Sequence, residues 1–389
     1  MIFANKTLIK PFICIAFILF SWDANAQLSL IKNTIDKLES YKNFSYQSIN
    51  KQKEFTSDTV IDQHKDIFSK APGDKNYGYL FSMETLTNAD KSNWTDLYNG
   101  QNLMHIVPQN STFEIYEIRG SEMQGSLPGY LNWIKKFVEK KPSKIAQAGD
   151  TTINSLTCSH LIVNTYDTII NKEHYYTRIH LFIDKLSGMP DYIIAKSRNA
   201  NTGNGTTDAY SEIHYFDYKF NQDNIDIASM TPPKGFDPAK EPPVVPLLAT
   251  GTAAPDWTLY ATNGKKISLS QLKGKVILLD FFFIGCIPCM QSIKPLNNLH
   301  EKYKGQNVAI VSISDRDSSK KVMTFKEKYN IKYPMYGNEA DVAKLYHVTA
   351  GPTFYFINKE GKIADVNVGY SDDFEERVTS IINNLLNKP

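Results

Sequence analysis

The residues Val276-Ile277-Leu278-Leu279-Asp280-Phe281-Phe282-Phe283 form a run that is apolar at every position but one. So short and apolar a run fits a strand covered on both faces, which places it inside an α/β sheet. The period then changes. Met290, Ile293, Leu296 and Leu299 recur at spacings of three with polar residues between them, as in a helix with one face in a core. Cys286-Ile287-Pro288-Cys289 lies where the strand hands over to this helix. Unpaired N–H groups and the dipole at a helix N-terminus favour an anion, here a thiolate, the species that thiol–disulfide exchange needs. Pro288 suits the first helical turn, where its missing N–H costs nothing. A structural zinc site requires four ligands. The chain has no second cysteine pair of this kind, and the nearest histidine, His300, falls on the same predicted helix. The pair is therefore read as a redox dithiol.

Asp280, in an apolar strand ahead of the dithiol, is expected to have a raised pKa, because burial penalises its charge. Leu279-Asp280-Phe281, with the first cysteine following Asp280 at Cys286, resembles the thioredoxin pattern. The stretch Gly251-Thr252-Ala253-Ala254-Pro255-Asp256-Trp257-Thr258-Leu259, followed by Asn263 to Lys275, is similar to the entry of the extracytoplasmic TlpA/ResA and AhpC/TSA (peroxiredoxin) branches. Gly351-Pro352-Thr353-Phe354-Tyr355-Phe356-Ile357, then Asn358-Lys359-Glu360-Gly361, resembles the family's cis-proline loop, strand and turn.

This resemblance implies a thioredoxin-like α/β fold for residues 251–389 and an exported thiol-disulfide oxidoreductase that reduces protein disulfides without a cofactor beyond its cysteines. It implies Cys286 as the exposed attacking thiolate and Cys289 as the more buried resolving thiol. Asp280 would take the proton from Cys289 through water; the alternative is a structural Asp bonded to loop amides. Pro352 would be cis, with Gly351 open to pair with a substrate strand. The implied partners are client proteins with disulfides and an electron-donating membrane or periplasmic thiol relay. Three positions depart from the family pattern: Gly285 stands where thioredoxins carry Trp, Ile287 where they carry Gly, and Ser292 where the ResA branch carries Glu. These departures bear on partner choice and redox potential. Ile287-Pro288 brings neither charge nor histidine to stabilise a thiolate, which favours a reductase over a strong oxidant. A thiol peroxidase is the first alternative; it needs Thr or Ser three residues before the reactive cysteine, where this chain has Phe283.

Residues 1–26 read as a signal peptide: Lys6 and Lys10, the apolar stretch Phe12–Phe20, then Ala24-Asn25-Ala26 as the cleavage pattern. This implies periplasmic export, or a membrane tether if the segment is not cleaved. The 43 basic and 41 acidic residues nearly cancel, which argues against a nucleic-acid partner. Proline clusters at 232, 233, 238, 242, 243, 246 and 255 and marks an extended connector, placed at 236–250. Residues 27–235 read as a separate α+β domain. A helix from Leu28 to Leu38 precedes strands at Phe44–Ile49, Tyr77–Met83, Thr112–Ile118, Ser159–Tyr166, His174–Ile183, Asp191–Lys196 and Ser211–Phe220, with a second helix over Leu127–Glu139. Helices on a curved antiparallel sheet resemble, in architecture alone, the LolA-like lipoprotein-carrier half-barrel. A lipid or peptide ligand on the aromatic face is the alternative to an ordinary core, and makes a hydrophobic-ligand binding protein with an accessory redox domain the second alternative function. Cys158, His160, His174, His180 and His214 lack compact ligand spacing, and no metal site is assigned to them.

Overall fold

The computed structural model describes residues 24–53, 59–87, 93–170, 172–201, 205–240, 245–261 and 265–387. Most of the expected leader, and Pro242 and Pro243 of the connector, lie outside the described residues. No described helix is long and apolar enough to cross a membrane.

The N-terminal half opens with α1 (Ala24–Ser40). The strands β1 (Asn43–Lys53), β2 (Thr59–Lys70), β3 (Tyr79–Thr87), β4 (Trp94–Tyr98), β5 (Leu103–Val107) and β6 (Thr112–Tyr116) then form an antiparallel meander. After α2 (Leu127–Lys140) a second meander runs through β7 (Ile145–Ile153), β8 (Leu156–Ile170), β9 (Glu173–Asp184), β10 (Pro190–Asn201) and β11 (Gly205–Phe220). β1 pairs with β11, so the two meanders fuse into one sheet, and β12 (Asp237–Pro238) adds a short parallel edge beside β6. The order β12-β6-β5-β4-β3-β2-β1-β11-β10-β9-β8-β7 leaves an open sheet rather than a closed barrel. α2 is the connection from the β6 side of the sheet to the β7 edge, and it packs beside α1 with Lys32 paired to Glu139 at 3.2 Å.

Why α2 lies flat on the sheet follows from its apolar stripe. Leu127, Leu131, Ile134 and Val138 recur at three and four residues and are fully buried, together with Ile31, Ile35 and Leu38 of α1. Beneath them Phe44, Tyr46, Phe68, Tyr79, Phe81 and Tyr98 fill the same face, with Phe68 stacked on Phe44 and Tyr46, Phe81 tilted against Phe68 and Tyr98, and Tyr79 edge-on to Phe44 and Phe68. Leu97, Met104 and Ile106 belong to a second cluster, with Ile225, Ile227, Met230 and Phe236 of the segment leaving β11.

β1, β3, β6, β8, β9, β10 and β11 fall where the sequence predicts strands, whereas β2, β4, β5 and β7 fall where it predicts none. The N-terminal sheet also extends past the expected boundary at 235: Asp237 and Pro238 pair with Thr112 and Phe113, and Ala239 N–H donates to Phe113 O at 2.7 Å. The far end of the connector is fastened too. Pro246 O accepts from His347 Nδ1 at 2.8 Å, and Leu248 N–H donates to the Tyr355 hydroxyl at 3.1 Å.

The C-terminal half is thioredoxin-like. A hairpin of β13 (Thr258–Tyr260) and β14 (Lys266–Ser268) precedes β15 (Val276–Phe282), α3 (Ile287–Lys302), β16 (Val308–Ser314), α4 (Ser319–Lys328), β17 (Met335–Tyr336), α5 (Ala340–Leu345), β18 (Thr353–Ile357), β19 (Ile363–Val368) and α6 (Phe374–Asn387). The sheet order is β17-β16-β15-β18-β19, with β15, β16 and β17 parallel and β18 and β19 antiparallel to their neighbours. All seven residues of β15 are buried. Val276, Leu278 and Phe282 pack under α3, α4 and α6, whereas Ile277, Leu279 and Phe281 face α5 and the β13–β14 side.

Leu131→Ala should lower unfolding free energy by about 2–5 kcal/mol, because the methyl groups lost are wholly buried. Lys136→Ala, on the exposed side of the same helix, should change it by no more than about 0.5 kcal/mol. Urea unfolding followed by circular dichroism tests both.

Candidate active site

β15 ends at Phe282, and Phe283-Ile284-Gly285 leads into α3. Gly285 has φ 93°, a left-handed backbone that glycine adopts without strain. The loop is held from the neighbouring strand: Ile284 N–H donates to Asp317 Oδ2 at 2.8 Å, and the same oxygen accepts from Ser314 Oγ at 2.7 Å. Arg316 lies over the Phe283 ring at 4.3 Å, a cation–π contact on the wall of the site.

Cys286 is the N-cap of α3 and is joined to Cys289 in a disulfide. Cys289 N–H donates to Cys286 Sγ at 3.2 Å. An N–H from the first turn therefore already points at the sulfur that would carry negative charge in the reduced pair. The two cysteines are equally covered, each 5% exposed, so overall burial does not separate them as the sequence reading expected. Position does: Cys286 Sγ lies 3.4 Å from the Gly351 carbonyl oxygen, whereas Cys289 sits one turn into the helix. Ile287, between them, is 71% exposed and presents an apolar side chain beside the disulfide. Ser292 Oγ donates to Cys289 O at 2.8 Å, a local bond within the helix.

The Gly351–Pro352 peptide is cis. A Cβ at Gly351 would fall 3.0 Å from two Phe283 ring carbons and 3.4 Å from Cys289 Sγ, so the loop approaches the disulfide as closely as it does only with glycine there.

Asp280 shares strand parity with Leu278 and Phe282 and so lies on the α3 side of the sheet, beneath the disulfide helix. It is 2% exposed; Oδ2 accepts from Ser312 Oγ at 2.6 Å, and Oδ1 has no partner. Burial pushes its pKa up to about 7, with the Ser312 bond opposing. The alternative of an Asp bonded to loop amides does not describe it. Tyr333 is buried next to Asp280 and Ser312, and burial followed by the Asp280 charge raises its pKa. Ser312, Asp317, Arg316 and Tyr333 were not singled out in the sequence. The only signal was the polar pattern Ser312-x-Ser314-Asp315-Arg316-Asp317 on a strand predicted to adjoin β15.

The histidines of the N-terminal sheet fall into separate pairings. His160 Nε2 is 2.9 Å from His180 Nδ1, His174 pairs with Asp167 at 2.8 Å, and His214 stands 3.5 Å from Asp191. Cys158 is buried, and burial, then Asp191 and Asp184, raises its thiol to about 11. Among the described residues no three His, Cys, Asp or Glu side chains are grouped to hold a metal ion.

Asp280 carries a pH dependence. Its folded pKa exceeds the unfolded value, so the native state binds the extra proton and stability falls as pH rises from about 4 to about 7. Asp280→Asn removes this penalty, and its stability advantage over the wild type should grow by up to about 4 kcal/mol across that window. Denaturant unfolding at a series of pH values measures it. Gly351→Ala should cost about 1–3 kcal/mol in the same assay, from the overlap with Phe283.

Residues 250–366 match the AhpC/TSA family. The chain is 35% identical over 123 residues to thiol-disulfide oxidoreductase ResA of Bacillus subtilis, covering 31% of this chain and 69% of that protein. It is 33% identical over 125 residues to the thioredoxin-like protein YneN of the same organism, covering 31% and 73% respectively. Among solved structures, the thioredoxin domain of a thiol-disulfide oxidoreductase from Bacteroides vulgatus aligns at a TM-score of 0.32 and 28% identity, covering 35% of this chain and 99% of that one.

Proposed function

We propose that this chain, which belongs to the AhpC/TSA family and is a thiol-disulfide oxidoreductase of the ResA type, reduces disulfides of exported client proteins through Cys286 and Cys289. The observation that carries this reading is the disulfide at the N-terminus of α3, facing the Gly351–Pro352 loop.

In the reduced enzyme the Cys286 thiolate, held by the Cys289 N–H, attacks one sulfur of the client disulfide. The Cys286–client bond forms, the client S–S bond breaks, and the departing client thiolate takes a proton from solvent. Cys289 then gives up its proton toward Asp280 through water and attacks Cys286 Sγ. This closes the Cys286–Cys289 disulfide and releases the second client thiol. Two electrons pass from the dithiol to the client, so a thiol donor of a membrane or periplasmic relay must reduce the enzyme again. A carboxyl whose pKa burial has raised to about 7 is suited to the transfer, since it both accepts and returns a proton near neutral pH. The carbonyl of Gly351, close to Cys286, offers a backbone acceptor to an extended client segment. Ile287 adds an apolar contact beside it.

Export rests on the N-terminal pattern of Lys6, Lys10, Phe12–Phe20 and Ala24-Asn25-Ala26. The peroxidase alternative is disfavoured by Phe283. Its ring, packed against Gly351 and Arg316, takes the position where a hydroxyl would have to activate the peroxide.

Cys289→Ser should stall the reaction at the first step and accumulate client proteins disulfide-bonded to Cys286 on expression in a periplasm. Mass spectrometry of the adducts identifies them, and insulin reduction by the wild type supplies the activity control. Absence of adducts together with absence of insulin reduction overturns the reading.

A further inference from the structure

The N-terminal sheet holds a polar cavity that the redox chemistry does not use. Two cross-strand rows on the helix-covered face build it. One row runs Tyr46, Asp66, Met83, Asp96 and His105 across β1 to β5; the adjacent row runs Tyr215, Ser48, His64, Thr85 and Trp94 across β11 and β1 to β4. Side chains two apart on a strand share a face, so these rows lie next to the aromatic row of Phe44, Phe68, Phe81 and Tyr98 and replace it with polar groups. The turn before α2 contributes Glu122, Gly125 and Ser126, and the half-open cavity has a volume of about 250 Å³.

Two features of this space point to a ligand. The first is Tyr215. It is 2% exposed and lines the cavity, yet its hydroxyl has no hydrogen-bond partner, an arrangement that is costly unless something fills it. The second is the charge balance. Asp66 is 7% exposed. Asp96 is answered by His105 at 2.7 Å, and Glu122 is engaged by the Tyr77 hydroxyl at 2.5 Å. Among the described lining residues there is no Lys or Arg, so Asp66 faces no cation. Its pKa is pushed up to about 7 by burial and by the Asp96 charge, against the Tyr46 hydrogen bond. His64 is held below its usual value by burial and does not supply the missing charge.

We propose that this cavity binds a small organic cation, a primary ammonium on a short apolar chain, with the ammonium donating to Asp66 and to the Tyr215 hydroxyl and the chain lying against Met83 and Trp94. The site is independent of the disulfide reduction proposed above. An ammonium supplies several donors on one compact charge, matching a carboxylate and a neighbouring hydroxyl acceptor. Binding requires Asp66 ionised, so affinity should rise with pH between about 6 and about 8. The groups facing Asp66 over that interval are Tyr46, His64, Asp96 with His105, Glu122 and Tyr215.

The test is isothermal titration of the full chain with butylammonium chloride and, as a neutral analogue of the same size, 1-butanol. Saturable heat with butylammonium alone is expected, with proton release seen as a dependence on the buffer's ionisation heat. Asp66→Asn should weaken binding by about tenfold or more, the loss of one charge-assisted hydrogen bond. Tyr215→Phe removes a hydroxyl that bonds nothing in the native chain, so it should fold normally and bind severalfold more weakly. The proposal is overturned by an absence of saturable heat, by butanol binding as tightly as butylammonium, or by folded Asp66→Asn and Tyr215→Phe proteins binding like the wild type.

Discussion

The exclusion of water from both faces of β15 is the constraint on which the C-terminal half depends. Seven consecutive residues are buried, so the strand can sit only at the centre of its sheet, with β16 and β18 as neighbours and helices above and below. That placement delivers the chain, at Phe282, to the C-terminal end of the central strand, where α3 begins. Cys286 is at a helix N-terminus because β15 stops there. Asp280 lies beneath it because strand parity turns every second side chain toward α3. One apolar run thus positions the disulfide, the carboxyl under it and the loop that covers it.

In the N-terminal half the equivalent constraint is the crossing of α2. The first meander finishes on one side of the sheet and the second begins at the other, so the connection must traverse the face. The stripe of Leu127, Leu131, Ile134 and Val138 makes the traverse a buried one. The pairing of β1 with β11 joins the two meanders, an association between segments more than 150 residues apart that no local signal announces.

This division explains what the sequence made legible. β15 is a continuous apolar run and α3 and the helices flanking it carry period-three apolar patterns, and the disulfide, the Gly351–Pro352 loop and the burial of Asp280 followed from such patterns or from family resemblance. Ser312 and Asp317 did not. Their contacts with Asp280 and Ile284 span 32 and 33 residues and exist only because β16 pairs with β15 in one register. β2 escaped for a different reason. Its core-facing positions include His64 and Asp66, so the alternation that betrays a half-buried strand is absent. The polar side chains that hid the strand are the same ones that line the cavity beside the turn before α2.

The connector has a geometric consequence. It is pinned at Ala239 to β6 and at Pro246 to His347. Seven residue steps between those anchors reach at most about 25 Å when fully extended. With both anchors closed, the points that the connector joins on the two halves can separate by no more than that reach, so a wider separation requires one of these bonds to break.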